Sequence, residues 1–351
     1  MADFFKTVTK GINNEYAALA SSGILAGDVG GYIDTGSYMF NALMSGSIWG
    51  GIPDNKITAI AGEEATGKTF FILGVIKSFL DGNPEAVCVF FESESAISKN
   101  MLEDRGIDSS RVMIVPVTTI QEFRTQVLKI LDNYEKGEEK RPMVMALDSF
   151  GMLSTTKEIE DTMEGSETKD MTRSAIAKAT FRVLTLKLGK MGIPLLVTNH
   201  TYDSISMYGG KVMGGGSGLK YSASTIVFLS KAAEKDGKDF IGNQIGCRLV
   251  KSRLTKEKSV VKVLLTYAEG LSRWHGLPDV AVASGIWKKA GRIELQDGSK
   301  VWEKEVYRNP EKYFTEEVMQ ACDDQVGKMF MYGSAQEIED SLNSEDGEES
   351  E

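Results

Sequence analysis

Gly62-Glu63-Glu64-Ala65-Thr66-Gly67-Lys68-Thr69 fits the pattern G-x-x-x-x-G-K-[ST], between a β-branched run, ITAIA at 57–61, and an apolar helical run, FFILGVIKSFL at 70–80. In that context the glycines let backbone N–H groups face phosphates. Lys68 is placed to neutralise the β and γ phosphates, and the Thr69 hydroxyl to ligate Mg²⁺ at a helix N-terminus. The eight residues therefore predict a phosphate-binding loop at a strand-to-helix turn. The same arrangement sets the fold class, because such a loop joins a buried strand to the helix that covers it.

Outward from the loop, short apolar runs alternate with longer amphipathic ones. VCVFF at 87–91, VMALD at 144–148 and PLLVTN at 194–199 read as buried strands. Between them lie the helical run from Lys68, stopped by Asp81-Gly82-Asn83-Pro84, and IQEFRTQVLKILDNY at 120–134, capped by Thr118 or Thr119 with Glu122. The runs at 224–230, 245–250 and 259–267, separated by polar stretches, read as an antiparallel extension. The reading is an α/β fold with a mostly parallel, twisted, helix-covered sheet. Residues 1–34 form a separate N-terminal segment, 35–270 the core, 271–333 a small C-terminal module and 334–351 a tail.

Two strand ends carry carboxylates where ligands bind in open α/β sheets. Asp148 ends VMALD and suits an outer-sphere partner of Mg²⁺ beside Thr69. VCVFF runs into Glu92-Ser93-Glu94, and one of these glutamates is placed to orient an attacking water if this strand neighbours the phosphate-loop strand. Period-2 alternation puts both on one side of an ideal strand, so spacing leaves the choice open.

Composition narrows the class. The chain of 351 residues is 42% hydrophobic, enough for a substantial core. Cys88, Cys247 and Cys322 lack paired spacing, and His200 and His275 are the two histidines, so neither a zinc nor a haem site is readable. There is no signal-like run and no long apolar span, which predicts a soluble, cytoplasmic protein without a membrane partner. The net charge of −10 argues against a nucleic-acid binder until its distribution is considered. Eight acids and no Lys or Arg fall in the tail, leaving 42 acids against 40 bases elsewhere, so a nearly neutral body carries a disordered acidic appendage.

Further motifs bring a resemblance to RecA-family recombinases, in their phage UvsX form. Thr35-Gly36-Ser37, Asn41-Ala42-Leu43 and Gly50-Gly51-Ile52-Pro53 precede the phosphate loop in the family's order. FFESESAI at 90–97 resembles its catalytic-glutamate strand and assigns that role to Glu94. Asn199-His200-Thr201-Tyr202 followed by Val212-Met213-Gly214-Gly215-Gly216 resembles the second DNA-binding loop, with His200 at the phosphate-sensing position where bacterial RecA has Gln. Lys220-Tyr221-Ser222-Ala223-Ser224 resembles the strand closing that loop. Lys251-Ser252-Arg253 resembles the cation pair that reaches a neighbouring subunit's nucleotide. One departure is Met101, where the family places a tyrosine that stacks on adenine.

The resemblance spans about residues 35 to 270 and implies a RecA-like fold whose N-terminal segment contacts the next subunit. It implies ATP and Mg²⁺ as cofactors, helical filaments on single-stranded DNA, and pairing with homologous duplex in recombination, repair and recombination-dependent replication. A mediator or loader and a single-strand DNA-binding protein are the implied partners. Two long loops suit DNA contact: 154–169, and 201–218 with six glycines in its last ten residues. In the second, Gly214, Gly215 and Gly216 permit close backbone approach, with charge from Lys211 and Lys220. The first is acidic along its centre, but Met171, Arg173, Lys178 and Arg182 at and beyond its distal end form an apolar wedge with cations. The alternatives are a RecA-fold hexameric helicase, or a non-catalytic protein that binds ATP to assemble.

Overall fold

Apolar runs bounded by turn residues become strands of one large sheet, as the sequence pattern requires. The computed structural model describes residues 2–12, 17, 19–24, 27–166, 170–204, 210–215, 217–236, 239–266 and 270–333. Strands β1 (Tyr32–Ile33) and β2 (Ile52–Pro53) pair antiparallel before the main sheet. The main sheet contains β3 (Ile57–Gly62), β4 (Val87–Glu92), β5 (Val112–Pro116), β6 (Met143–Asp148), β7 (Leu195–Asp203), β8 (Lys211–Met213), β9 (Thr225–Asp236), β10 (Asp239–Lys251), β11 (Val260–Thr266) and β12 (Gly270–Leu271). Its order is β12-β11-β10-β9-β3-β7-β6-β4-β5, with β8 antiparallel to β7. From β5 to β9 the neighbours run parallel. From β9 to β12 they run antiparallel, as the sequence predicts.

The helices are α1 (Ala2–Val8), α2 (Tyr38–Ser45), α3 (Lys68–Gly82), α4 (Lys99–Glu103), α5 (Ile120–Lys136), α6 (Thr156–Met163), α7 (Arg173–Met191) and α8 (Ser217–Ser222). After β12 come α9 (Leu277–Ala283), a three-stranded sheet of β13 (Lys288–Ala290), β14 (Arg292–Glu294) and β15 (Lys300–Val301), then α10 (Glu303–Arg308), α11 (Pro310–Tyr313) and α12 (Glu316–Phe330).

Strand alternation divides the interior into two cores. Ile60, Phe90, Val144 and Leu196 face α2 and α3, whereas Ile57, Phe91, Met145 and Val197 face α5 and α7. Strands buried on both faces read as unbroken apolar runs, which is why the period-2 signal is missing from β3 and β6. Trp287, Phe314, Cys322 and Phe330 of the C-terminal region join the α2–α3 core and build no separate one. Asp323 of α12 accepts hydrogen bonds from the Ser47 hydroxyl at 2.7 Å and the Ile48 N–H at 2.8 Å, tying this region to the segment after α2.

Thr119 is the N-cap of α5: its hydroxyl accepts the Glu122 N–H at 3.0 Å, and the Glu122 carboxylate accepts the Thr118 N–H at 2.9 Å. The first long loop differs from its expected form. Thr155 and Glu158 cap each other reciprocally and start α6 within it. The acidic centre of that loop is therefore partly helical, because Thr-x-x-Glu is a helix-start signal that its charge obscured. The tail, Gly216 and the segments 167–169 and 205–209 lie outside the described residues.

Candidate active site and DNA interface

The phosphate loop turns at Ala65 (φ 55°) and Gly67 (φ 89°) before α3 begins. Gly62 has no room for a side chain, since a Cβ there would lie 2.6 Å from the Thr66 hydroxyl and 3.0 Å from the Leu229 carbonyl. Thr66 donates its hydroxyl to the Glu63 carbonyl at 2.9 Å. Lys68, buried at 7% exposure, donates to the carbonyls of Gly62 at 3.2 Å and Glu63 at 2.9 Å. Glu64, Ala65, Gly67, Lys68, Thr69 and, across the cleft, Glu94 line a cavity of about 450 Å³.

Asp148 stands at the tip of β6, and the Thr69 hydroxyl donates to its Oδ2 at 2.6 Å. The Thr198 hydroxyl, from β7, donates to Oδ1. Burial raises the Asp148 carboxyl above the ordinary carboxylate range despite these bonds, with the nearby Glu94 charge adding to the effect. Burial lowers the Lys68 ammonium, against the opposing pull of Glu94 and Asp148. A hydroxyl and a carboxylate facing a phosphate-binding loop form the donor set that suits a hard divalent cation shared with phosphate oxygens. Among the described residues, no cluster of three or more His, Cys, Asp or Glu makes an all-protein metal site.

The two glutamates at the end of β4, a strand that β7 and β6 separate from β3 where the sequence reading takes the two as neighbours, differ in their surroundings. Glu92 is buried, and its Oε1 accepts the backbone N–H groups of Glu94 at 3.0 Å and Ala96 at 2.9 Å. It fixes the loop. Glu94 faces the cavity, where Oε1 accepts the Ser149 hydroxyl at 2.5 Å and lies 3.0 Å from His200 Nε2. Burial pushes its carboxyl up, but the Ser149 and His200 hydrogen bonds and the charges of His200 and Lys68 outweigh that and hold it below the usual range.

His200 continues into the second loop. Its carbonyl accepts the Gly214 N–H at 3.0 Å, and Asn199 donates its side-chain amide to the Gly214 carbonyl at 2.9 Å. Gly215 (φ 80°) lies against Phe150, whose ring a Cβ would meet at 2.6 Å. Lys211, on β8, pairs with Asp203 at 2.7 Å and with Glu63 of the phosphate loop. Gly218 touches the α7 backbone at Ala177 and Lys178, and Lys178 Nζ stands 5.7 Å from the Tyr221 ring centroid. Lys220 and Met171 are exposed, Met171 at 84%.

The structure thus brings Met171, Lys178, Lys211, Gly214, Gly215 and Lys220 to the region around β8, α8 and the start of α7. Arg173 is engaged elsewhere, with Glu158 at 3.0 Å and the Gly151 carbonyl at 3.2 Å. Arg182 is exposed on α7 four residues beyond Lys178, ~6 Å further by helical rise. Lys251 donates to the carbonyls of Lys220 and Tyr221, both at 2.9 Å, and Arg253 is exposed. Neither lines the cavity of its own subunit. Residues that sequence reasoning left without a role are Ser149, Thr198 and Asn199. A polar residue inside the buried run PLLVTN was the available signal for the last two.

A phosphate loop between strand and helix, Asp148 at the tip of β6 and a glutamate across the cleft define a phosphate-loop NTPase of the open α/β class. The family described as RecA N-terminal domain matches residues 26–272, and the chain belongs to the RecA family. The "Recombination and repair protein" of Enterobacteria phage T4 is 33% identical over 277 residues, covering 77% of this chain and 70% of that relative. "Protein RecA" of Chloroherpeton thalassium is 29% identical over 245 residues, covering 69% and 66%. "Protein RecA" of Corynebacterium efficiens is 26% identical over 255 residues, covering 72% and 64%. No helix among the described residues is long and apolar enough to cross a membrane.

Proposed function

We propose that this recombination ATPase assembles as a helical filament on single-stranded DNA and exchanges strands with homologous duplex, using ATP bound at the phosphate loop. The observation that carries the reading is the 3.0 Å contact between Glu94 and His200, which links the cleft to the strand that becomes the second DNA loop. In it, Lys68 and the loop N–H groups hold the triphosphate, while Thr69 and Asp148 hold Mg²⁺. The metal supplies charge neutralisation at the phosphates. Glu94, ionised and oriented by Ser149, positions the attacking water and draws its proton.

Lys251 and Arg253 act in trans on the next subunit's nucleotide, so ATP forms part of the subunit contact. His200 senses the terminal phosphate, and through Gly214 its position governs the loop carrying Lys211. Lys178, Lys211 and Lys220 contact the DNA backbone beside the exposed Met171 wedge. A mediator and a single-strand DNA-binding protein are the partners that filament loading calls for. Electron microscopy with single-stranded DNA and a non-hydrolysable ATP analogue tests this. Continuous helical filaments are expected; closed rings would establish a helicase-like assembly, and discrete oligomers indifferent to DNA would refute the recombinase reading.

A further inference from the structure

The departure at Met101 leaves open what holds the nucleotide base, and a second cavity bears on it. A space of about 610 Å³, lined by Phe70, Met101, Asp104, Arg105, Leu265 and others, adjoins the phosphate-loop cavity and shares Phe70, Met101 and Leu265 with it. Phe70, the residue after Thr69 on α3, lines both cavities, so the second lobe lies beside the Lys68–Thr69 end of the first.

Arg105 forms one wall of that lobe. Its guanidinium carbon lies 3.8 Å from the Phe70 ring centroid, a stacked cation–π pair. Its Nε is buried and has no hydrogen-bond partner. A buried donor without an acceptor carries a desolvation cost. Burial also lowers the guanidinium's affinity for its proton, with Asp104 opposing.

On this basis, and resting on the ATP reading above, we infer that Arg105, held flat by Phe70, is the platform that selects a purine base. A guanidinium plane stacks on heteroaromatic bases, and the two fused rings of a purine cover more of it than a single ring does. The Met101 thioether makes a soft contact with the ring edge. A pyrimidine presents less area to the same wall. Selection here is by size and stacking, so ATP and GTP both bind better than CTP or UTP.

The test compares the full chain with Arg105→Met, Arg105→Lys and Phe70→Leu. Binding of ATP, GTP, CTP and inorganic tripolyphosphate is measured with Mg²⁺, together with KM and kcat for DNA-stimulated hydrolysis. Loss of one stacked base predicts about tenfold weaker ATP and GTP binding in Arg105→Met, with a smaller loss for CTP and none for tripolyphosphate. KM rises and kcat at saturating ATP holds. Arg105→Lys, which keeps the charge and loses the plane, behaves like Met, and Phe70→Leu shows the same purine-specific loss. Equal weakening of all four ligands, or unchanged purine preference, overturns the inference while hydrolysis by the parent keeps the ATP reading intact. A parent chain that neither binds nor hydrolyses ATP fails the underlying reading first, and this inference with it.

Discussion

Glu94→Gln separates chemistry from binding, and the structure sets the size of each effect. Glu94 Oε1 serves both Ser149 and His200, at 2.5 and 3.0 Å. Glutamine keeps one oxygen of similar reach, so the fold around the cleft survives, but it cannot take a proton from water. Loss of a positioned base lowers kcat by about 10²- to 10⁴-fold. Removing a negative charge that faces the triphosphate in a half-exposed cleft favours ATP by roughly 1 kcal/mol, about a fivefold tightening. The variant is therefore expected to accumulate as ATP-bound filaments. Glu92→Gln is the matched control, because its carbonyl can still accept the N–H groups of Glu94 and Ala96. Its turnover should stay within about tenfold of the parent, since only positioning is disturbed. Phosphate release on single-stranded DNA gives kcat, and a fluorescent ATP analogue gives affinity. If Glu94→Gln turns over like the parent, or Glu92→Gln is the variant that traps filaments, the assignment of the water-orienting group is wrong.

Gly218→Ala should lower Tm by several degrees, because the added methyl meets Ala177 C and Lys178 N of α7, both at 2.6 Å, and overpacking of this kind costs about 1–3 kcal/mol; calorimetry checks it. Burial raises the Asp148 carboxyl, so the folded chain holds that proton more tightly than the unfolded chain and loses stability as pH rises through the ordinary carboxylate range. Asp148→Asn should accordingly match or exceed the parent's Tm at neutral pH while abolishing hydrolysis; a clear fall in Tm would show that the carboxylate's hydrogen bonds outweigh its burial. Glu63→Gln frees Lys211 from the phosphate loop and should strengthen nucleotide-free DNA binding more at low than at high salt, read by fluorescence anisotropy. Lys251→Ala/Arg253→Ala subunits mixed with Lys68→Ala subunits should regain hydrolysis that neither has alone, since a trans cation is worth about 10³- to 10⁵-fold in phosphoryl transfer; no recovery on mixing refutes the shared site.

The phosphate loop, the mostly parallel character of the sheet and the antiparallel extension were legible because each rests on local pattern: a spacing motif, continuous apolar runs, and polar turns between them. The register at Glu92 and Glu94 was not. Both sit on the same side of an ideal strand, and what separates them is a turn after β4 in which Glu92 folds back onto backbone N–H groups. Sequence periodicity stops at a strand's end. The family resemblance selected Glu94, and the hydrogen bonds show how the surroundings of the two glutamates differ. The helix inside the first loop was hidden by its own acids, although Thr155 and Glu158 carry the capping signal. Arg105 over Phe70 was invisible for a different reason: 35 residues separate them, and only the packing of the α4 region against α3 brings them together.

The same separation of local from tertiary information bears on how nucleotide state reaches DNA. Asp148 and Ser149 follow one another at the tip of β6, yet they serve different carboxylate tasks: Asp148 faces Thr69, and Ser149 holds Glu94. Thr198 bonds Asp148 from β7, while two residues later His200 contacts Glu94 and, through its carbonyl, Gly214. Phe150, next along from Ser149, is the surface on which Gly215 rests. In the proposed mechanism a change in charge at the cleft would reach both walls of the second loop, through β7 at Gly214 and through the segment after β6 at Gly215. A side chain at Gly214 or Gly215 would collide with the Tyr202 or Phe150 ring, at 2.8 and 2.6 Å. In that proposed coupling the two glycines would act as close contacts, in addition to any freedom they give the loop.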